Sequence, residues 1–156
     1  MIFVTVGGMH GFDRLVTEMD RIAGEIDERV VMQIGTTPYD PRNCEHYSFM
    51  PAKEMDDLYA GARVVVCHAG IGSILTARRH NKPLVLVPRM KRYGEHIDDH
   101  QLEIARQMEA RGVPVVYELG NLQSAIENAT TTHVPESGGG SHLVGRLKEY
   151  LDGIGI

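Results

Sequence analysis

The apolar positions of the chain alternate between short unbroken runs and longer segments with helical spacing. Unbroken runs rich in β-branched side chains are typical of strands buried on both faces of a parallel sheet. They predict strands at residues 2–6, 30–34, 64–67, 84–87 and 113–117, and a shorter strand at residues 47–49. The chain therefore reads as a series of strands, most of them separated from the next by a helix.

Helical spacing fills most of the intervals between these runs. Apolar residues recur every three or four positions in residues 12–26, after Pro51 and in residues 97–111, and a short helix is predicted at residues 121–129. A further helix begins after the glycines that follow residues 64–67, with Ser73 as its predicted cap. Strands that alternate with helices predict an α/β fold with a doubly wound, mainly parallel, Rossmann-like sheet.

The 156 residues suffice for one compact domain, which we place at residues 1–129. Residues 130–141 are rich in Gly, Ser and Thr and predict a flexible linker. Residues 142–156 carry an apolar stripe and predict a final amphipathic helix, which docks either on its own domain or on a partner. A single domain of this size is small for an enzyme that needs a separate acceptor lobe.

Composition narrows the range of partners. The formal net charge is −5, which favours neither general nucleic-acid binding nor a polybasic membrane anchor. No apolar run approaches bilayer length and no secretory signal is evident, so we expect a cytoplasmic protein. Only two cysteines are present, and Cys67 lies within an apolar strand, where a buried structural role is the better interpretation than a nucleophile beside His68.

Two glycine-bearing loops follow predicted strands, at the edge of the sheet where ligands of open α/β folds bind. Glycines let backbone N–H groups approach a ligand closely, and the first turn of a helix carries unpaired donors and a partial positive charge. The loops therefore predict a site for a diphosphate. A tight turn needed only for helix–strand packing is the alternative for the second loop. The predicted diphosphate-binding residues are Gly7, Gly8, Gly70, Ile71, Gly72 and Ser73.

The segment after residues 84–87 is rich in charged side chains. We predict that Arg89 contacts a phosphate, and that Lys91 and Arg92 pair with carboxylates at the surface. Those carboxylates are Glu95, Asp98 and Asp99.

The imidazoles of this region allow more than one interpretation. His96 and His100 have the i, i+4 spacing that can bind a metal together with Asp98 or Asp99. His68 either caps the edge of its strand through a backbone hydrogen bond or contacts the ligand.

Several short motifs occur in a fixed order over residues 2 to about 105, and as a set they resemble the motifs of a known family. The set resembles the carboxyl-terminal, donor-binding domain of family 28 glycosyltransferases, which have the GT-B fold. The resemblance is strongest to the stand-alone small subunits of two-component UDP-sugar transferases, found in the dolichol pathway and in bacterial exopolysaccharide synthesis. The motifs are Ile2-Phe-Val-Thr-Val-Gly7, Phe12-Asp-Arg-Leu15, Gln33-Ile-Gly35, His68-Ala-Gly-Ile-Gly-Ser73, Lys82-Pro83, Pro88-Arg89, Gly94-Glu-His96 and Asp99-His-Gln101.

The resemblance implies a place for each part of a UDP-sugar. Uracil is expected near Phe49 and Met50, and ribose near Thr76, where many members have a glutamate. The resemblance suggests N-acetylglucosamine as the sugar, and its hydroxyls are expected to meet four side chains. These are His68, Asp99, His100 and Gln101. Since sugar binding then explains the segment that holds His96 and His100, we predict no metal site there.

The resemblance also implies a reaction and a partner. The family inverts the anomeric centre without an obligatory metal or other cofactor, so a general base must accept the proton of the acceptor hydroxyl. His10, in the first glycine loop, is one candidate, and a group on an absent partner lobe is the other. In two-component relatives a membrane-associated subunit supplies the site for a lipid-linked acceptor and recruits the small subunit to the cytoplasmic face of the membrane.

Three functions fit these observations. The first is the donor-binding, catalytic subunit of a UDP-sugar glycosyltransferase, active only with its partner. The second is a nucleotide-sugar-binding subunit without turnover, and the third is a stand-alone UDP-sugar epimerase or hydrolase, for which no convincing pair of carboxylates is present. A Rossmann dehydrogenase is disfavoured because the first loop lacks the G-x-G-x-x-G spacing.

Overall fold

Five parallel strands form the sheet of residues 1–129, the part of the chain that the computed structural model describes. Neighbouring strands are parallel throughout, in the order β3-β2-β1-β4-β5. The predicted α/β architecture with a parallel sheet is therefore confirmed. The strands are β1 (Ile2–Thr5), β2 (Val30–Gln33), β3 (Glu45–Tyr47), β4 (Val64–His68) and β5 (Leu84–Val87).

Two of the predicted strands need correction. Residues 113–117 form no sixth strand; they make a single parallel bridge between Val115 and Leu86. Pro114 has no backbone N–H to donate, so the ladder does not extend there. The third strand begins at Glu45 and ends at Tyr47, two residues earlier than predicted, because these residues pair with β2 and the chain then turns away.

Helices cover both faces of the sheet, as expected of a doubly wound fold. One apolar core joins one face of the sheet to α1 and α5, through side chains such as Leu15 and Leu122. The second core joins the opposite face to α2, α3 and α4, through side chains such as Tyr59, Ile74 and Ala105. The helices are α1 (Asp13–Ala23), α2 (Ala52–Gly61), α3 (Ile71–Arg79), α4 (His100–Glu109) and α5 (Leu122–Glu127).

The segment between β5 and α4 differs from its prediction. The helix expected at residues 97–111 begins only at His100, and Ile97, predicted on its buried face, is 87% exposed. Asp99 Oδ1 accepts the backbone N–H of Lys91 at 3.0 Å, and Asp98 Oδ1 accepts that of His100 at 3.0 Å. Such bonds between side chain and backbone compete with the helical pattern, which explains the late start of α4.

The strand order reverses between β1 and β4. The connection through α1 leads from β1 to β2 on one side, whereas β4 pairs with β1 on the other side. The loops that follow β1 and β4 therefore diverge, and they open a crevice outside the carboxyl ends of the two strands.

Across residues 1–129, no helix is both long enough and apolar enough to cross a membrane. The linker predicted at residues 130–141 and the helix predicted at residues 142–156 lie outside the described residues. The division of the chain into domain, linker and final helix therefore stays a prediction.

Candidate functional site

A cavity of about 430 Å³ opens in the crevice between β1 and β4. It contains residues from both glycine loops, from the loop before α2, and from α2 and α3, so the two loops do share one site. Its lining residues are Thr5, Gly7, Gly8, Gln33, Phe49, Met50, Ala52, Met55, Asp56, Tyr59, Gly72, Ser73, Thr76 and Arg79.

The first glycine loop is fixed by two polar side chains at the ends of β1 and β2. Gln33 Nε2 donates to the carbonyls of Gly7 at 3.1 Å and Ser48 at 2.9 Å, and Thr5 Oγ1 donates to Gln33 Oε1 at 2.6 Å. Gly7 adopts φ 82°, which favours glycine, and its N–H donates to Thr5 Oγ1 at 3.3 Å. That amide, predicted to bind diphosphate, therefore has an internal acceptor, and Gly8 presents the exposed backbone of this loop.

The second glycine loop leads directly into α3. Gly70 occupies the cap position and makes no side-chain capping bond, so the prediction that Ser73 caps this helix is wrong. Ser73 lies within the first turn and lines the cavity with Gly72. Backbone N–H groups of a first helical turn have no partner within the helix, and the helix dipole adds a partial positive charge. Gly70 and Ile71 are not part of the lining.

His68 joins the two loops. Arg89 Nη1 lies 2.8 Å from His68 Nδ1, and Gln101 Nε2 lies 3.2 Å from the same atom. A guanidinium only donates, so Nδ1 is an acceptor and the ring proton is on Nε2, which lies 3.2 Å from Ser73 Oγ. Burial, aided by the charge of Arg89, lowers the pKa of His68 to about 3. The imidazole is therefore a neutral, fixed donor at pH 7.

The ring of His68 also leaves no room for side chains on the two loops. A Cβ built on Gly7 would lie 2.6 Å from His68 Nε2, and one built on Gly70 would lie 2.6 Å from the same atom and closer still to Cε1. The glycines are therefore required for packing against this ring. That requirement agrees with the packing interpretation for Gly70, whereas Gly72 has open space around it.

Arg89 is buried beneath the first loop. Its Nη2 donates to the carbonyls of Val6 at 2.7 Å, His10 at 2.8 Å and Gly11 at 3.3 Å. The guanidinium is thus turned toward the backbone and away from the cavity, and the prediction of a direct phosphate contact needs correction. Within residues 1–129 no carboxylate forms an ion pair with Arg89, and burial, partly offset by Glu95, lowers its pKa to about 10. At pH 7 it remains a buried cation behind His68.

Part of the cavity wall is apolar. Phe49 is 55% exposed and lines the cavity together with Met50 and Met55. Thr76 faces the same cavity from α3, and its Oγ1 donates to the carbonyl of Gly72 at 2.8 Å. All three residues predicted to contact the nucleoside, Phe49, Met50 and Thr76, therefore lie along the wall of one cavity.

The four residues predicted to contact the sugar do not line this cavity. His68 and Gln101 are buried, and Gln101 Oε1 accepts the N–H of Arg89 at 3.1 Å, so these two side chains organise the loops. Asp99 is exposed beside the turn at Lys91–Tyr93. His100 begins α4 near Asp98.

Asp98 pairs with both imidazoles that were considered as metal ligands. His96 Nδ1 lies 2.9 Å from Asp98 Oδ1, and His100 Nδ1 lies 3.4 Å from Asp98 Oδ2. Bonding from the backbone of His100, together with these imidazoles, lowers the pKa of Asp98. In the described part of the chain, no group of three or more His, Cys, Asp or Glu side chains is arranged to hold a metal.

His10 lies outside the cavity between the loops. It lines a second cavity, of about 530 Å³, on the other side of the first loop, and its ring meets that of His96 edge-on at 5.9 Å. Arg14 borders this second cavity and makes two bonds to Glu95, at 2.9 and 3.1 Å. Glu95 therefore pairs with Arg14 rather than with Lys91 or Arg92.

Several residues of the site were not predicted. Thr5 and Gln33 are polar positions at the ends of buried apolar strands, which is a usable signal for the carboxyl edge of a sheet. Asp56 and Arg79 carried no such signal, because each lies on a helix surface that is ordinarily solvent-exposed. Cys67 is fully buried and its pKa is raised by burial, which confirms the predicted structural role.

A doubly wound parallel sheet with a glycine-lined cavity at its reversal point defines the class of Rossmann-like nucleotide-binding folds. Within this class, the model of the glycosyltransferase family 28 C-terminal domain matches residues 1–134, so the chain belongs to that family. The family predicted from the motifs is therefore confirmed.

Three known proteins illustrate the relationship. The human UDP-N-acetylglucosamine transferase subunit ALG13 is 32% identical over 122 residues, which cover 71% of this chain and 10% of the relative. A UDP-N-acetylglucosamine–N-acetylmuramyl-(pentapeptide) pyrophosphoryl-undecaprenol N-acetylglucosamine transferase of Anaeromyxobacter is 33% identical over 98 residues, covering 60% and 25% of the two chains. The crystal structure of the calicheamicin glycosyltransferase CalG4 superposes with a TM-score of 0.63 at 19% identity, over 99% of this chain and 44% of that one. The chain thus spans about a quarter or less of these two sequence relatives.

Proposed function

We propose that this chain is the donor-binding, catalytic subunit of an inverting glycosyltransferase that moves a sugar from a UDP-sugar to a lipid-linked acceptor. The observation that carries the proposal is a single cavity that is lined by residues of both glycine loops and by the apolar side chains of Phe49 and Met50. This layout suits a diphosphate joined to a planar base. Membership of family 28, and relatives named as N-acetylglucosamine transferases, support N-acetylglucosamine as the sugar.

In this proposal the diphosphate binds at the start of α3. Gly72 and Ser73 offer unpaired amides and a hydroxyl there, Gly8 faces them from the first loop, and Ile71 precedes them at the helix start. Donors that are already fixed stabilise charge that develops on a departing diphosphate without rearranging during the reaction. The buried positive charge of Arg89, behind His68, adds to the positive potential at the start of α3, and this effect requires no direct contact with the diphosphate.

His68 does not act as the general base in this proposal. Its Nδ1 already accepts from Arg89, and its pKa of about 3 keeps it from taking up a proton at neutral pH. The cavity between the two glycine loops is called the donor cavity below, after the sugar donor that we propose it binds. His10 lies across the first loop from this cavity, next to His96. We propose that the base either is His10 or comes from the partner subunit, whose acceptor site would face this edge of the sheet. Asp99 and His100 border the same edge and remain candidates for the sugar.

Calorimetric titration of the chain tests donor binding directly. We expect heat from UDP and from UDP-N-acetylglucosamine, and little from ADP, with the same affinity in EDTA and in Mg²⁺ because the proposal uses no metal or other cofactor. The absence of heat from UDP and from every UDP-sugar tried would contradict the proposal.

Reconstitution tests transfer. We propose a membrane-associated partner that supplies the acceptor site and holds this chain at the cytoplasmic face of the membrane, with no role for nucleic acid. The chain, a membrane-anchored candidate subunit encoded beside it and a polyprenyl-diphosphate-linked sugar should together yield a lengthened lipid-linked glycan by mass spectrometry. Binding without product under these conditions favours a nucleotide-sugar-binding subunit, and UDP release by the chain alone favours a hydrolase.

A further inference from the structure

One carboxylate, that of Asp56, stands in the wall of the donor cavity. Asp56 lies on α2 and is held against the last turn of α3 by two bonds to Oδ1, from Arg79 Nη2 at 2.6 Å and His80 Nε2 at 2.8 Å. Both bonds leave Oδ2 available to accept from a ligand. The imidazole of His80 and the guanidinium of Arg79 also lower the pKa of Asp56, so the carboxylate is ionised at pH 7.

The length of α3 fixes where Asp56 lies relative to the rest of the site. An α-helix rises about 1.5 Å per residue, so Thr76 lies about 6 Å along the axis from Gly72, and the last turn that holds Asp56 lies just beyond. With the proposed diphosphate at Gly72 and Ser73, a nucleoside that extends along α3 has its ribose at the level of Thr76 and Asp56. Its base then lies in the same cavity as Phe49.

Thr76 is a weak partner for the two adjacent hydroxyls of a ribose. Its own hydroxyl proton is donated to the carbonyl of Gly72 at 2.8 Å, which leaves it as a neutral acceptor only. Asp56 offers a second, charged acceptor in the wall of the same cavity. A carboxylate oxygen is a stronger acceptor than a hydroxyl because it is charged.

We propose that Asp56 binds the ribose hydroxyls and makes the site selective for ribonucleoside over 2′-deoxyribonucleoside diphosphates. Arg79 and His80 act as positioning residues, because they hold the carboxylate at the rim of the cavity. The inference rests on the proposed binding of a uridine diphosphate compound, and it goes further by assigning the group that distinguishes its pentose.

The test is a calorimetric comparison of UDP with 2′-deoxy-UDP. For the unchanged chain we expect UDP to bind about tenfold more tightly, the size of one hydrogen bond to a charged group in a partly exposed position. Asp56→Asn should lower the affinity for UDP about tenfold and change the affinity for 2′-deoxy-UDP by no more than about twofold. The variant should therefore no longer discriminate between the two nucleotides. Asp57→Asn is the matched control: Asp57 is the next residue of α2, pairs with Lys53 outside the cavity, and should leave both affinities unchanged.

The outcomes separate this inference from the proposal on which it rests. Equal weakening of both nucleotides in Asp56→Asn, or no weakening of either, overturns the role of Asp56 while UDP binding by the unchanged chain stands. No binding of UDP by the unchanged chain overturns the proposed function itself. Circular dichroism melting of both variants checks the fold, and Arg79→Gln, which removes one of the two bonds that hold Asp56, should lower the affinity for UDP by a smaller factor.

Discussion

Replacing Gly70 with alanine should destabilise the fold, even though its backbone conformation suits any residue. Its φ of −95° lies in the ordinary extended region, so the substitution strains no dihedral angle. The new methyl group, however, would lie 2.6 Å from His68 Nε2 and closer still to Cε1. The cost of Gly70→Ala therefore comes from the imidazole, which has to give way or be compressed.

Either response of the ring has a calculable cost. Moving it breaks the hydrogen bond from Arg89, and a bond to a charged group is worth about 1.5–3 kcal/mol. Keeping it in place overpacks the core at about 1–3 kcal/mol. The cheaper route sets the result, so we expect the free energy of unfolding to fall by about 2 kcal/mol.

Urea unfolding followed by circular dichroism measures this change, and Gly72→Ala is the control. No atom of residues 1–129 lies within 4 Å of a Cβ at Gly72, so alanine there should leave stability unchanged or raise it by up to ~1 kcal/mol, as in any helix. In a chain that already carries His68→Ala, Gly70→Ala should cost less than about 0.5 kcal/mol, which gives a coupling near 2 kcal/mol. Additive effects of Gly70→Ala and His68→Ala would refute the steric explanation.

Three further predictions concern the same region. Arg89→Gln leaves buried carbonyls without donors and should lower the free energy of unfolding, measured in urea, by about 2–4 kcal/mol. Arg92→Gln, which removes only the exposed ion pair of Arg92 with Glu118, should change it by less than about 0.5 kcal/mol. His68 is protonated below about pH 6.5 in the unfolded chain but only near pH 3 in the folded chain. The free energy of unfolding should therefore be highest above pH 6.5 and fall by about 2 kcal/mol by pH 5, and His68→Gln should remove this pH dependence. Phe49→Ala should weaken UDP binding about threefold to tenfold in calorimetry, with no change in melting temperature. Ile97→Ala, at a residue that is also exposed but lies outside the cavity, should change neither the affinity for UDP nor the melting temperature.

The fold could be predicted because its signals are local. Runs such as Val64–His68 contain consecutive β-branched residues that satisfy both faces of a buried strand, and their alternation with helical spacing leaves few topologies. The local signals fail where tertiary contacts intervene. Pro114 stopped a sixth strand, and the aspartates before His100 held the chain out of a helix that its apolar spacing favours.

The site was predicted only in part, for the same reason. Residues of both glycine loops, together with Phe49 and Thr76, line one cavity, although Gly70 does not. The roles of Arg89 and Asp56 depend on partners 20 or more residues away, such as the carbonyl of Val6 and the guanidinium of Arg79. Sequence spacing places a charged residue near an edge of the sheet, but it does not decide whether that charge faces the ligand or the backbone behind it.

The single imidazole that packs against Gly7 and Gly70 also constrains how this sequence can evolve. A larger residue at either glycine requires a smaller ring between them, and a smaller ring removes the acceptor that the Arg89 guanidinium uses. Neutral drift at one of these positions is therefore blocked unless the others change with it. Across an alignment of relatives, positions 7, 68, 70 and 89 should be inherited as one block and exchanged together.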